Sequence, residues 1–297
     1  MCNVEKVSVI GVGTQGSMLT FRNAVEGKTV IGYARTEKTL KTCRAKIEKW
    51  MAYYIEKAKL TQTQATQAVS RIALTTSLEK ALQHPDLVIE NVPEDLSLKQ
   101  KIFVQIDALV PAETLISTNT SSLLLSDIQR DIPEARKAKT FASNYDDPVR
   151  NSYVEVMWSS KTSERTKKIA MRYFASIGYQ PIVTVKEIKG YSLNRTWRAV
   201  KRECLHLWAK GYIAPSEFDR GWKMEWGTKF GPFQYMDLIG LDTVLHIEES
   251  YFASTKDERD RPPKALYDMV NSGKLGMKTG SGFYDGYDPE AGNLEVD

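Results

Sequence analysis

An α/β domain built on a parallel sheet, followed by an all-helical domain, is the architecture that this 297-residue sequence predicts. Three observations carry the prediction. Strand-like and helix-like segments alternate over residues 1–188. A glycine-rich turn joins the first strand to the first helix. From Leu193 onward strand patterns stop, and long helical patterns with turns at "KGYIAPSE", "KFGPF" and "DRPPK" take over, so residues 189–297 form the second domain.

The first strand is "VSVI", a short apolar run at Val7–Ile10 that enters "GVGTQG". A helix over residues 17–26 and a strand over "KTVIGYA" follow. From Glu37 to Arg71 the apolar residues Ile47, Trp50, Met51, Tyr54 and Ile55 fall at helical spacing, and "LTQTQATQAVSRI" reads as the antiparallel return of that helix. Further strands are "DLVIENV", "TLISTNT" and the segment leading into Tyr153–Met157. Between them, "LKQKIFVQIDALV" and "LLLSDIQRDI" read as helices. Strands separated by helices pair in parallel.

Gly11, Gly13 and Gly16 spell G-x-G-x-x-G between that first strand and helix. The spacing supplies a tight turn, close backbone approach to a pyrophosphate and close helix–strand packing, and the helix N-terminus offers free N–H groups to the phosphates. Gly11, Gly13, Thr14, Gln15 and Gly16 are therefore candidate cofactor-binding residues in a Rossmann-type dinucleotide domain. The second strand carries the choice of cofactor. A carboxylate that would bind the ribose of NAD belongs where Ala34 stands, and Arg35 and Thr36 follow. Losing the carboxylate removes repulsion against a 2′-phosphate, and Arg35 can pair with that phosphate. NADP(H) is the favoured cofactor and NAD(H) the alternative; read otherwise, Arg35 is one more surface cation.

A formal charge of +4 suits an anionic small molecule and gives no sign of a nucleic-acid partner. No apolar run approaches the ~20 residues of a membrane span. Cys2, Cys43 and Cys204 form no CxxC pair and read as reduced thiols, which together with the immediate entry into a strand predicts a soluble, cytoplasmic protein. No metal site is read.

The blocks "DLVIENVPEDLSLKQKIF", "STNTSSL", "YVEV", "LNR", "FGPFQYMDLIGLD" and "GKLGMKTGSGFY" give the sequence a strong resemblance, in the same order and over nearly the whole chain, to the 3-hydroxyacyl-CoA dehydrogenase family. The resemblance implies a helical C-terminal domain that dimerises and a substrate cleft between the domains. It matches Ser121 and Asn194 to the residues that hold the substrate's reacting oxygen, and Glu155 to the glutamate that orients a catalytic histidine. Glu94 matches a cofactor-side glutamate, and Val92 and Asn119 complete the candidate cofactor set. The histidine's own position holds Asn144. Pro148 and Glu155 anchor that alignment, although the stretch between is one residue shorter.

Imidazole titrates near neutral pH and can give or take the proton that ketone–alcohol interconversion needs. Asparagine donates a hydrogen bond but supplies no proton. His84, His206 and His246 read as surface or packing residues. Tyr145, Asp146, Tyr191 or a water ordered by Glu155 are the remaining candidates for the acid, while "NYDDP" also reads as a plain turn. The expected activity is NADP-linked hydride transfer on a 3-hydroxy or 3-keto acid. An imine-type or other non-CoA reductase, or a cofactor-binding protein without turnover, is the alternative.

In the helical domain Arg195, Arg198, Lys201 and Arg202 share a helix, and Trp222, Met224 and Trp226 follow. Cations with aromatics suit either a small anionic substrate or a homodimer interface. Lys46 and Lys49 suit the phosphates of coenzyme A or a solvated helix face, and coenzyme A stays open as part of the substrate.

Overall fold

In the computed structural model, which describes residues 4–145 and 152–287, the apolar run at the start of the chain becomes β1 (Lys6–Ile10), buried from Val7 to Ile10. It is followed by α1 (Thr14–Val25), β2 (Thr29–Tyr33), α2 (Glu37–Glu56), α3 (Gln62–Ser70), β3 (Ile72–Thr75) and α4 (Leu78–Ala81). Then come β4 (Leu87–Glu90), α5 (Leu96–Leu109), β5 (Leu115–Asn119), α6 (Leu125–Ile128) and α7 (Glu134–Lys137). The unit closes with β6 (Thr140–Tyr145), β7 (Tyr153–Met157), α8 (Glu164–Ser176) and β8 (Gln180–Thr184).

The strands form one sheet in the order β3-β2-β1-β4-β5-β6-β7-β8. It is mixed rather than wholly parallel, because β6 and β7 pair antiparallel. Three strands escape the sequence reading. β3 and β8 are short edge strands, β8 carrying Pro181 where an edge tolerates it, and β6 is polar enough to read as a lead-in to β7. Alternation along the central strands feeds two cores. Val9, Ile89 and Phe141 pack toward α1, α2 and α8, and Ile10, Val88 and Ala142 pack toward α5.

The α2 helix buries Leu40, Cys43, Ile47, Trp50, Met51 and Tyr54, the face its spacing predicts. The Phe21 ring of α1 meets Trp50 at 5.8 Å and Tyr54 at 4.9 Å. A capping box of Thr61 and Gln64 starts the return helix.

The chain divides between Ser192 and Leu193; the sequence places the boundary after Ile188. The second unit holds α9 (Ser192–Ala209), α10 (Pro215–Trp226), α11 (Pro232–Ile239), α12 (Leu241–Thr255) and α13 (Lys264–Asn271). Its described residues add isolated bridges at Ser281 but no strand. Two buried carboxylates organise it. Asp219 accepts from Phe233 N and Gln234 N, so it caps α11. Asp237 accepts from Phe283 N and Tyr284 N. Gly276, at φ +89°, and Gly282 pack so closely on Asp237 that a Cβ at either would collide with it. The two most distinctive blocks of the sequence thus meet at these aspartates.

Three of the four α9 cations are spent inside this unit. Arg198 pairs with Glu248 at 3.1 Å and Asp260 at 3.0 Å, Lys201 with Glu248 at 3.0 Å, and Arg202 with Asp260 at 2.7 Å. Lys201 is buried and Arg198 largely so, where charges must be paired, whereas Arg202 is partly exposed. Cys43 and Cys204 are free and buried; Cys2 lies outside the described residues. No described helix is long and apolar enough to cross a membrane.

Candidate active site

The sheet order reverses at β1, which lies between β2 and β4. The crevice at the C-terminal ends of such strands is where α/β folds bind ligands. Here it opens as a cavity of about 710 Å³ whose walls carry the glycine turn, the end of β2, the segments after β4 and β5, and the end of β6.

The glycine turn explains itself sterically. Gly11 has φ +104°, and a Cβ there would stand 2.6 Å from Asn91 O. A Cβ on Gly16 would stand 2.0 Å from Gly11 O, so α1 can pack against the turn only through glycine. Gly13 has nothing within 4 Å of its missing Cβ; the space it leaves open lies where a pyrophosphate approaches. No side chain caps α1 and its first turn holds no acid, so its N–H groups remain for a phosphate. These features fit a dinucleotide.

Gly11, Gly13, Thr14, Gln15, Ala34, Arg35, Thr36, Val92, Glu94 and Asn119 all border the cavity, together with Ser121, Asn144 and Tyr145. Gly16 lies behind the turn. Ala34 is buried and Arg35 exposed, and Arg35 has no carboxylate partner among the described residues. Thr36 Oγ1 accepts from Thr39 N and caps α2. Lys46 is not simply part of a solvated face: its Nζ donates to Thr14 Oγ1 at 3.3 Å, beside the glycine turn.

Behind the wall lies a network that sequence reasoning missed. Glu90 and Lys99 are fully buried, with Lys99 Nζ 3.0 Å from both Glu90 oxygens. The same ammonium donates to Asn119 O at 2.9 Å and Val92 O at 3.3 Å, and so ties the ends of β4 and β5 together. The available signal was a glutamate ending a buried strand with a lysine nine residues on. Asn119 Nδ2 donates to Asn91 Oδ1, and Asn91 Nδ2 to Gly11 O, so Asn119 supports the turn through Asn91.

Glu94 Oε1 accepts from Thr120 Oγ1 at 2.6 Å, Ser121 N at 3.0 Å and Ser122 N at 2.9 Å. Desolvation opposes its charge, but hydrogen bonds from Thr120 and Ser122 and the Lys99 ammonium outweigh that and hold the carboxyl below its usual range. Glu94 thereby fixes the loop that presents Ser121, whose own side chain is exposed.

Asn144 and Glu155 face each other across the β6–β7 pair. Asn144 Nδ2 donates to Glu155 Oε2 at 3.3 Å. Ser192 donates to Glu155 Oε1 through N at 3.1 Å and Oγ at 2.8 Å. Asn144, which the resemblance puts at the family's histidine, is therefore held by Glu155, which the resemblance matches to the orienting glutamate. Asn194 lies in the first turn of α9, in the second unit.

Tyr145 does not share the face of Asn144. Successive strand residues point to opposite sides of the sheet, and the Tyr145 ring packs on Phe174 and Tyr179 in the core. Burial pushes its hydroxyl well above the ordinary tyrosine range. The same cause raises Tyr191, which is also buried. Neither is a ready acid at neutral pH. Asp146, Asp147 and Pro148 lie outside the described residues. The three histidines are exposed and none borders the cavity.

Residues 6–188 match the family described as 3-hydroxyacyl-CoA dehydrogenase, NAD binding domain, and residues 190–286 match its C-terminal domain. A 3-hydroxybutyryl-CoA dehydrogenase of Clostridioides difficile is 32% identical over 281 residues, 94% of this chain and 99% of the relative. The crystal structure of an (S)-3-hydroxybutyryl-CoA dehydrogenase from Ralstonia eutropha superposes with a TM-score of 0.87 at 30% identity, covering 96% of this chain and 100% of that one. A diketoreductase described as catalysing reactions of dicarbonyl compounds gives 0.86 at 30% identity over the same shares. This chain is an oxidoreductase and belongs to the 3-hydroxyacyl-CoA dehydrogenase family.

Proposed function

We propose that this protein is an NADP(H)-linked dehydrogenase or reductase acting on a 3-hydroxy or 3-keto acid, an acyl-CoA-like relative, or its C=N counterpart. The observation that supports it is the single cavity that borders the glycine turn, Arg35, Ser121 and Asn144 together. When bound, the nicotinamide supplies or accepts the hydride. Ser121 meets the substrate's reacting heteroatom, Asn144 lies beside it, and Arg35 with Thr36 receives the 2′-phosphate that Ala34 leaves room for.

The cofactor choice has a direct test. Titration of nucleotide binding shows NADPH bound several-fold more tightly than NADH. Arg35→Ala removes most of that difference, a loss of about 1.5–3 kcal/mol for a charged hydrogen-bond partner. Equal affinities in the unsubstituted protein refute the assignment.

The helical unit supports a homodimer. Met224 is 75% and Trp226 64% exposed on α10, an apolar surface of the kind that subunits cover. Sedimentation gives twice the chain mass, and Trp226→Glu shifts the population to the single chain. A monomer at micromolar concentration contradicts this.

A further inference from the structure

The Asn144–Glu155 pair decides what the cavity wall offers a substrate. An amide whose nitrogen faces a carboxylate turns its carbonyl oxygen the other way. Asn144 Nδ2 is committed to Glu155 Oε2 at 3.3 Å, and Glu155 is itself fixed by two hydrogen bonds from Ser192 to its other oxygen. Asn144 borders the cavity, and no described residue donates to its Oδ1. The group presented is an acceptor. A ketone oxygen has no proton for it, and an alkoxide forming there meets a lone pair. A substrate N–H matches it.

The local charge favours the same substrate. Beside Ser121, the carboxylates of Glu90 and Glu94 share the one ammonium of Lys99, at 3.0 and 3.6 Å. Of the two, Glu94 borders the cavity and is held as a carboxylate, a charge that favours a cation over an alkoxide beside Ser121.

We propose that this site reduces a cationic C=N substrate, the iminium formed when a carbonyl compound condenses with an amine; the proposal rests on reading the cavity as the hydride-transfer site. The C=N carbon accepts the hydride and a C–H bond forms. The π pair of the C=N bond becomes the nitrogen's lone pair, and the positive charge disappears. Asn144 Oδ1 keeps the substrate N–H throughout, and Ser121 Oγ donates toward the new lone pair. No proton moves during the step, so the place of a general acid can be held by an amide. The reaction that supplies the substrate is a condensation of a carbonyl compound with a primary amine, with loss of water and uptake of one proton from solvent, and the product is a secondary amine.

The test follows NADPH oxidation with two cyclic imines, 1-pyrroline-2-carboxylate and 2-methyl-1-pyrroline, and with acetoacetate and acetoacetyl-CoA as carbonyl counterparts. Imines are reduced faster than the carbonyl compounds. Asn144→Leu lowers the imine rate roughly tenfold to hundredfold, as expected for one lost hydrogen bond to a cation, while NADPH affinity, measured separately, stays unchanged and shows that the variant folds. Reduction of the carbonyl compounds alone overturns the imine assignment and leaves the hydride-transfer reading standing. No turnover of either class by NADPH-bound protein overturns both.

Discussion

Asn144→His raises turnover of a 3-hydroxyacyl-CoA substrate by about 10²–10⁴, the range that a positioned general acid–base contributes. The environment for that histidine is already built. Glu155 stands opposite position 144 in the β6–β7 register and already accepts from its side chain, so an imidazole there can donate one N–H to the carboxylate and turn the other nitrogen to the cavity. The pH dependence changes as well. A histidine introduces a titration near its ordinary value of about 6.5, on which a carboxylate neighbour acts upward. The rate of alcohol oxidation then rises as the imidazole loses its proton, and that of ketone reduction falls. Steady-state rates between about pH 5 and 9 reveal it. An unchanged rate would mean that Glu155 does not aim position 144 at the substrate.

Lys99→Met lowers the stability of the first unit by roughly 3–5 kcal/mol, the usual effect of leaving a buried charge without its partner. Glu90 keeps its place between β1 and β5 but loses the ammonium 3.0 Å away. Two carbonyls, Val92 O and Asn119 O, lose their donor at the cavity wall. Urea unfolding of the full chain reads the loss, and the transition of the first unit moves to lower denaturant. Adding Glu90→Leu to Lys99→Met restores much of it, because the orphaned carboxylate is then gone. A cost below about 1 kcal/mol would contradict this and would mean that Glu90, whose carboxyl burial already pushes upward, is neutral once Lys99 is gone.

The parts of this protein that are legible in its sequence are those with a steric cause. Gly11 and Gly16 could be recognised because nothing larger fits beside Asn91 and under α1. The buried stripe of α2 follows from residue spacing. Lys99 stayed hidden because a lysine on a helix is by default a surface residue, and only the fold brings Glu90 to it. Arg198 and Arg202 resembled free cations for a similar reason: Asp260 lies 58 to 62 residues away along the chain. Tyr145 follows Asn144 in sequence and borders the same cavity, but strand alternation sends its ring to the opposite face, onto Phe174 and Tyr179. The replacement at position 144 was legible only through the family's motif order. Its consequence, an amide nitrogen bound to Glu155, needed the antiparallel pairing of β6 with β7.

We infer that hydride transfer takes place where Ser121 and Asn144 border the cavity. The most direct test is the single-turnover rate of nicotinamide oxidation or reduction in Ser121→Ala, with cofactor affinity measured in parallel. In the proposed role Ser121 donates to the electron pair that hydride transfer leaves on the substrate's heteroatom, and its loss then lowers the rate by about 10²–10³ while cofactor affinity is unchanged. Full activity in Ser121→Ala would place the chemistry elsewhere in the molecule.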